Sequence, residues 1–250
     1  MSDFTSEILR DLDRKLDPSK RSKMSGKVLK FDGLTAHCDG FPARVGSICK
    51  IETGSNTDVF AEVISFKDGL NQLVVFDLAA GIRAGDRVTL VEEGQSIEVG
   101  DNLLGRVFDA MGSPLDGRPQ PHAPHEWPLH GTLINPLERR HISSALDVGV
   151  KSINGLLSIA KGQRVGIVAG SGVGKSVLLS MITKHSEADV IVVGLIGERS
   201  REVLEFIDNV FDKKTREKLC AVAVPADRSP LLRIRGANRA TAIAEYFRDQ

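Results

Sequence analysis

A glycine-rich stretch in the second half of the chain, residues 169–176, has the residue types and spacing of a phosphate-binding loop. Its sequence AGSGVGKS fits the pattern G-x-x-x-x-G-K-[ST], except that an alanine replaces the first glycine. Glycines let the backbone curl so that successive N–H groups point at phosphate oxygens. The lysine can reach the β- and γ-phosphates, and the final hydroxyl can ligate Mg²⁺. We therefore predict that the following residues bind a nucleotide: Ala169, Gly170, Ser171, Gly172, Val173, Gly174, Lys175, Ser176 and Val177.

A second set of candidate residues, Gly197-Glu198-Arg199-Ser200, directly follows the apolar run at 189–196. Hydrolysis of a γ-phosphate needs a group that orients the attacking water and cations around the developing charge. Glu198 is a candidate for the first task and Arg199 for the second. The alternative is that these residues only begin a helix, where Glu and Ser are common.

The elements that would position these residues alternate between strand and helix. Residues 164–168, 189–196 and 221–224 predict strands, of which the first is a short run with Val and Ile, typical of a buried parallel strand. Helical patterns follow at residues 153–159, 177–183, 203–211 and 237–247. This alternation predicts a parallel sheet with right-handed crossovers, and ligands of such sheets bind beyond the carboxyl ends of the strands. For residues 169–176 the alternative is a glycine-rich turn that binds no phosphate and in which the sequence G-K-S occurs by chance.

Residues 26–95 have a different character and predict a small barrel or sandwich. Leu34, Ala36 and Cys38 alternate with polar residues, which indicates a strand with one buried face. Residues 73–77, LVVFD, look like the Asp-ended strand that supports Mg²⁺ in phosphate-loop enzymes. Because residues 73–77 precede the phosphate-binding loop and lie within the barrel pattern, we predict that they form an ordinary barrel strand. The predicted strands are residues 28–31, 34–38, 45–51, 58–66, 72–78 and 87–91.

Between these two regions, six of the ten prolines lie from Pro114 to Pro136, which predicts an extended connector after a strand and turns at 105–117. His122, His125 and His130 are predicted to be exposed rather than metal ligands, because their spacing is irregular and no cysteine is near. We expect a helix and basic linker at 1–25, a barrel at 26–95, a connector at 96–145 and an α/β domain at 146–250.

The first 17 residues carry an apolar stripe at helical spacing, which Pro18 ends. This helix could pack on its own protein or dock on a partner, since a terminal helix of this length is marginal alone. Residues 20–30 are basic without an acidic residue, which predicts a solvated linker or a weak contact with anionic lipid heads.

Composition limits the function classes. The 33 basic and 33 acidic residues cancel, so no overall field favours nucleic acid or membrane. Three widely spaced cysteines give neither a disulfide framework nor a metal-ligand pattern, which fits a reducing cytosol. No apolar run is long enough for a membrane span, and the N-terminus lacks a secretory signal.

Four ordered blocks resemble the flagellum-specific protein-export ATPases, which are related to type III secretion ATPases and more distantly to the catalytic subunit of rotary ATP synthases. The blocks are GRVFDAMGSPLDG, NPLERRHISSALDVGVKSINGLL, GQRVGIVAGSGVGKSVLLSMI and GLIGERSREVLEFI. The resemblance covers nearly all of residues 26–250. It implies an N-terminal β-barrel, a RecA-like ATPase domain, a C-terminal helical domain and a homohexamer assembled through barrel and ATPase domains, with ATP and Mg²⁺ bound between subunits.

By the same resemblance, the phosphate-loop lysine and the Mg²⁺-binding hydroxyl fall on Lys175 and Ser176, and the catalytic glutamate falls on Glu198 beside Arg199. Non-catalytic relatives typically carry Gln at the glutamate position, so Glu198 implies an active subunit. The resemblance further implies a stator-like regulatory partner at residues 1–17, export chaperones and substrates, and a cytoplasmic location peripheral to the inner membrane.

The chain departs from the family pattern at its end. Asp227 follows an apolar run, but Pro225 interrupts that run, and the family places its Mg²⁺-linked Asp one strand later. That Asp, the arginine finger and the adenine contacts would all lie beyond Gln250. We therefore expect the front part of a longer enzyme, which alone binds nucleotide poorly and hydrolyses it very slowly.

Three other functions compete with flagellar export. Injectisome ATPases share every motif named here, and a catalytic subunit of a rotary synthase is disfavoured by the LDVGVKSINGLL block and the amphipathic N-terminus. A Rho-type RNA translocase should have a basic barrel with stacking aromatics. Residues 26–95 instead hold more acidic than basic residues and neither Tyr nor Trp, so we expect no nucleic-acid partner.

Overall fold

The structure, a computed structural model, describes residues 24–54, 58–76, 81–132, 134–138, 141–170 and 172–250. These residues form two compact units, one ending at Glu93 and one beginning at Gly94. The finer domain boundaries expected from the sequence stay predictions. The predicted helix at 1–17 lies outside the described residues.

The first unit is a closed antiparallel barrel of six strands in the order β1-β2-β5-β4-β3-β6. Its interior is built from the alternate apolar side chains of every strand, which are fully buried in most cases. The predicted barrel is therefore confirmed. The strands are β1 Ser25–Phe31, β2 Thr35–Asp39, β3 Ile48–Glu52, β4 Val59–Lys67, β5 Leu70–Val75 and β6 Arg87–Glu92.

Two details of the barrel prediction are wrong and one is confirmed. Leu34 is 53% exposed because it lies in the turn before β2, whereas Ala36 and Cys38 are buried as expected. Residues 25–30 belong to β1 rather than to a solvated linker, since Lys27 and Lys30 take part in strand pairing while Val28 fills the core. Leu73 and Val75 are buried in β5, as predicted for an ordinary barrel strand.

The second unit contains a parallel sheet in the order β10-β11-β8, which confirms the predicted α/β class. β8 is Val107–Phe108, β10 is Ile191–Ile196 and β11 is Leu219–Val224. All six residues of β11 are buried, because it is the central strand and its sequence LCAVAV is apolar on both faces. A separate antiparallel pair joins β7, Ser96–Val99, to β9, His125–Pro128.

The strand predicted within 105–117 is thus confirmed as β8, but its place in the sheet was not predicted. Val107 and Phe108 pair in parallel with Ala221 and Val222 of β11. The following residues turn back, with Leu115 N–H donating to the Val107 carbonyl at 2.8 Å. The residues just before the proline-rich segment therefore contribute the edge strand of the sheet beside β11.

Within the described part of the chain, three α-helices follow the predicted order: α1 Lys175–His185, α2 Ser200–Val210 and α3 Pro230–Arg248. α2 buries Phe206 and Val210 in the sheet core. α3 begins seven residues before the predicted residue 237, because Ser229 caps it by accepting from Leu232 N–H at 3.3 Å and Pro230 suits a first turn. A π-helical turn, Ile153–Leu157, forms within the helical pattern predicted at 153–159.

The prediction of a buried strand at 164–168 is wrong. These residues form no strand, and Val165 and Val168 are 51% and 98% exposed. A strand requires a neighbour to pair with its N–H and C=O groups. Among the described residues, the parallel sheet holds β8, β10 and β11, and none of them pairs with this segment.

Candidate nucleotide site

The loop before α1 has the backbone that the glycine spacing predicts. Gly172 and Gly174 adopt φ angles of +77° and +97°, which L side chains rarely adopt. Nothing lies within 4 Å of the position of a Cβ at either residue, so the backbone conformation, not crowding, requires glycine there. Glycines at these two positions therefore let the chain turn from the loop into the helix.

The helix that follows begins at Lys175, with Leu178 N–H donating to the Gly174 carbonyl at 2.9 Å. Its first N–H groups have no partner within the helix, and the helix dipole gives this end a partial positive charge. Gly174 precedes the helix without a side-chain cap, so these donors stay available. Loop and helix together have the form of an anion-binding site.

Glu198 lies just beyond the carboxyl end of β10, where its backbone is held by the end of β11 and by the turn that follows β11. Gly197 N–H donates to the Val224 carbonyl at 2.8 Å, and the Glu198 carbonyl accepts from Ala226 N–H at 2.9 Å. Gly197 has a φ of +77°, so the chain leaves the strand by a turn that favours glycine. The carboxyl end of the sheet thus positions Glu198.

The two motifs predicted independently from the sequence meet in space. Lys175 Nζ lies 3.2 Å from Glu198 Oε1, although the residues are 23 positions apart. The Lys175 side chain is 45% exposed and that of Glu198 is 34% exposed, so both can reach a ligand from solvent. A cation suited to phosphate and a carboxylate suited to water activation therefore share one location.

The alternative in which Glu198 only caps a helix is not supported. Arg199, not Glu198, occupies the N-cap position of α2, and that position makes no side-chain capping hydrogen bond. The Arg199 guanidinium is 85% exposed and lies 3.8 Å from Glu202 of the same helix. The structure therefore brings Lys175 and Glu198 together but pairs Arg199 elsewhere.

Ser176 and Val177 line an open cleft of about 490 Å³ between α1 and α2, which Glu202 and Glu205 also line. The described residues contain no group of three or more His, Cys, Asp or Glu that could hold a metal ion by themselves. Mg²⁺ in nucleotide sites is held by few protein ligands, together with substrate phosphates and water. A single hydroxyl from Ser176 fits that mode of binding.

Asp227 and the histidines make no contribution to this site in the described structure. Asp227 is exposed in the turn after β11. His122, His125 and His130 are exposed, as predicted. His125 stacks near Tyr246, with ring centroids 5.8 Å apart, and His130 Nδ1 lies 3.4 Å from Asn238 Nδ2.

Sequence reasoning missed Arg233, which lies in the first turn of α3. Its Cδ is 3.9 Å from the position that a Cβ on Gly197 would occupy, so its side chain lies beside the turn that carries Glu198. One signal was available: Arg233 follows the carboxyl end of β11 by nine residues, and such strand ends form ligand sites in parallel sheets.

Residues 149–250 match the model of the ATP synthase alpha/beta family, nucleotide-binding domain. The chain is 46% identical over 230 residues to the flagellum-specific ATP synthase of Pseudomonas aeruginosa, covering 91% of this chain and 51% of that protein. It is 44% identical over 235 residues to the protein of the same name from Salmonella typhimurium, covering 90% and 52%. The chain therefore spans about half the length of these relatives.

A solved structure extends the similarity to three dimensions. The assembled ATPase EscN, in complex with its central stalk EscO from the enteropathogenic E. coli type III secretion system, matches with a TM-score of 0.82 and 40% identity. The match covers 90% of this chain and 55% of EscN. No helix among the described residues is long and apolar enough to cross a membrane. These matches confirm the resemblance found in the sequence: in its barrel and its parallel sheet, this chain is similar to the flagellar and type III secretion ATPases.

Proposed function

We propose that the chain is the ATP-binding and ATP-hydrolysing part of a subunit that drives type III protein export, most specifically flagellar export. The observation that carries this proposal is the 3.2 Å contact between Lys175 Nζ and Glu198 Oε1, at the junction of a glycine loop, a helix N-terminus and a strand end. Hydrolysis of a γ-phosphate requires charge neutralisation and water orientation at one place. These two residues provide both.

Each site residue has a role that follows from its chemistry. The loop at 169–174 and the first N–H groups of α1 bind the phosphate oxygens, and Lys175 neutralises charge on the β- and γ-phosphates. Ser176 would hold Mg²⁺, which when bound would supply further positive charge beside the phosphates. Glu198 orients and polarises the attacking water, and Arg199 is the candidate for a further cation at the transition state.

The flagellar assignment rests on the relatives named flagellum-specific ATP synthase, which reach 46% identity, whereas EscN of an injectisome is 40% identical. An injectisome ATPase is therefore the second candidate. A catalytic subunit of a rotary ATP synthase comes next, supported by the family model over 149–250. A Rho-type translocase has no support from the barrel, which lacks Tyr and Trp.

We extend the proposal to assembly and partners. The EscN structures are of an assembled ATPase, one of them with a central stalk, which supports a homohexamer of this chain through its barrel and ATPase domains. Residues 1–17 would dock a stator-like regulatory protein, and the assembly would receive export chaperones and substrates. Its place would be cytoplasmic, at the inner-membrane export apparatus, with contact to anionic lipids through basic residues at 20–23.

The activity is tested by Glu198→Gln. We expect this variant to bind Mg·ATP but to release phosphate at least about 100-fold more slowly than the wild type. The amide keeps the shape of the carboxylate but lacks its basicity. Single-turnover assays with protein in excess over ATP measure even slow hydrolysis. Asp208→Asn, which removes an exposed carboxylate of α2 that does not line the cleft beside Ser176, is the matched control and should keep wild-type rates. Wild-type turnover in Glu198→Gln would remove Glu198 from the reaction.

A further inference from the structure

The contact between Lys175 and Glu198 cannot stay as it is when a nucleotide binds. Phosphate oxygens attract the Lys175 ammonium, which has three donors but one charge. The Glu198 carboxylate would then share its cation with the phosphates and face other negative charges at short range. Mg²⁺ offsets part of that negative charge, but Lys175 is no longer the exclusive partner of Glu198, so the carboxylate can take a second cation from the protein in the nucleotide-bound state.

Among the described residues, Arg233 is a cation that lies near enough to Glu198 to be this second partner. The backbone of Glu198 is joined to the β11–α3 turn through Ala226 N–H, and Arg233 lies in the first turn of α3. The Arg233 Cδ lies beside Gly197, 3.9 Å from the position of a Cβ there. The hydrogen bond from Ala226 and the proximity to Gly197 place the Arg233 side chain next to the residue that precedes Glu198.

The Arg233 side chain also has unused hydrogen-bonding capacity. Its Nε is buried and makes no hydrogen bond with any described residue. Leaving a buried donor of a charged group without a partner is costly, so this Nε has the capacity to take a further partner. The guanidinium of the neighbouring Arg199 is instead 85% exposed and lies 3.8 Å from Glu202.

We propose that Arg233 is a positioning residue: when nucleotide phosphates take Lys175, the Glu198 carboxylate moves to the Arg233 guanidinium. Glu198 thus exchanges one cation for another, and Arg233 holds the carboxylate beside the γ-phosphate rather than contacting phosphate itself. This inference deepens the function proposed above and rests on it.

A double-mutant cycle on Mg·ATP affinity tests the exchange without depending on turnover. Arg233→Gln should weaken Mg·ATP binding, on the order of threefold to tenfold, because the displaced carboxylate loses its partner in the bound state. In the Glu198→Gln background, the same Arg233→Gln change should alter the affinity by less than about twofold, since no carboxylate is left to hold. Arg233→Lys should restore part of the affinity.

Titration of a fluorescent ATP analogue into the purified chain gives these dissociation constants. Arg201→Gln is the matched control, because Arg201 is 87% exposed on α2 and pairs with Glu205. It should bind like the wild type, and every variant should keep the wild-type melting temperature without nucleotide to within about 2 °C.

Two results would overturn the inference. An equal loss of affinity from Arg233→Gln in both backgrounds would show that Arg233 contacts phosphate directly. Unchanged affinity in the wild-type background would show that Glu198 needs no second cation. Absence of Mg·ATP binding in the wild-type chain itself would instead overturn the proposed function on which the inference rests.

Discussion

At the scale of single residues, the site depends on an ion pair that is weak enough to exchange. Lys175 and Glu198 are both more than one-third exposed, and exposed pairs are typically worth less than about 1 kcal/mol because water and salt screen them. Phosphate groups with several negative charges can therefore displace Glu198 from Lys175. A stronger, buried pair at this place would oppose nucleotide binding.

A second ion pair in the same unit has the opposite character. Arg106 Nε lies 2.6 Å from Asp116 Oδ2, and the two side chains are 9% and 15% exposed. Arg106 also donates to the carbonyl of Pro119 at 2.8 Å, and so ties the turn after β8 together. The hydrogen bond from Arg106, the largest cause, holds the pKa of Asp116 below its ordinary value of 3.8.

Asp116→Asn should lower the free energy of unfolding at pH 7 by about 2 to 4 kcal/mol, because it leaves a nearly buried guanidinium without its anion. Since the folded-state pKa of Asp116 is lowered, the stabilisation is complete above the unfolded-state pKa and is lost as pH falls through the folded-state pKa. The difference between wild type and variant should therefore shrink in strong acid. Urea unfolding at pH 7 and below pH 3 measures both effects.

The exposed pair between Arg248 and Asp249 provides the control for that experiment. Its side chains are 47% and 41% exposed, and its Nε–Oδ1 distance is also 2.6 Å. Asp249→Asn should change stability little at pH 7, because solvent screens this pair. An equal loss in Asp116→Asn and Asp249→Asn would contradict the role given to burial.

At the scale of elements, the approach of α3 to the sheet depends on a glycine in the middle of the helix. A Cβ on Gly236 would overlap Val224 Cγ2 of β11 and lie 3.1 Å from Ile196 Cδ1 of β10. Gly236 is buried within the helix and its φ is not positive, so packing, not backbone conformation, requires glycine there. The helix that carries Arg233 is thereby set close to the strand end that carries Glu198.

Gly236→Ala should destabilise the protein by about 1 to 3 kcal/mol through overpacking. Helix propensity alone predicts the opposite sign, because alanine is favoured over glycine by about 1 kcal/mol in a helix. Thermal or urea unfolding decides between the two. Thr241→Ala, an exposed change in the same helix, should be close to neutral, and a stabilising Gly236→Ala would contradict the packing described here.

Elements with a clear period were predictable from the sequence, and those defined by distant pairing were not. The alternation of β2 and β5 and the apolar run of β11 specify strands locally. Residues 164–168 are a similar apolar run, yet they form no strand, because none of the described strands pairs with them. β8 was recognised as a strand, but its parallel pairing with β11 bridges more than 100 positions and leaves no local signal.

The candidate site divides in the same way. Lys175, Ser176 and Glu198 could be proposed from the sequence, because the glycine spacing of the loop and the end of an apolar strand can be recognised locally. Arg233 was not, because it is one of several arginines in a helix of low amphipathicity, and only the fold brings it beside Gly197.

At the scale of the whole molecule, the two units have separate cores. The barrel closes on itself, so each of its strands is paired on both sides and no edge is left open. The second unit carries all the residues of the candidate site, from 169 to 233. An increase in melting temperature on nucleotide binding should therefore reflect stabilisation of the second unit.

The most direct test of the central claim is the melting temperature with and without Mg·ATP in the wild type and in Lys175→Ala. At a nucleotide concentration of 100 times the dissociation constant, binding to the folded chain should raise the wild-type melting temperature by roughly 5 to 10 °C. Lys175→Ala should show little or no rise, because the β- and γ-phosphates lose their cation, while the exposed Lys213→Ala should respond like the wild type. An undiminished rise in Lys175→Ala, or none in the wild type, would contradict the assignment of this loop as a nucleotide site.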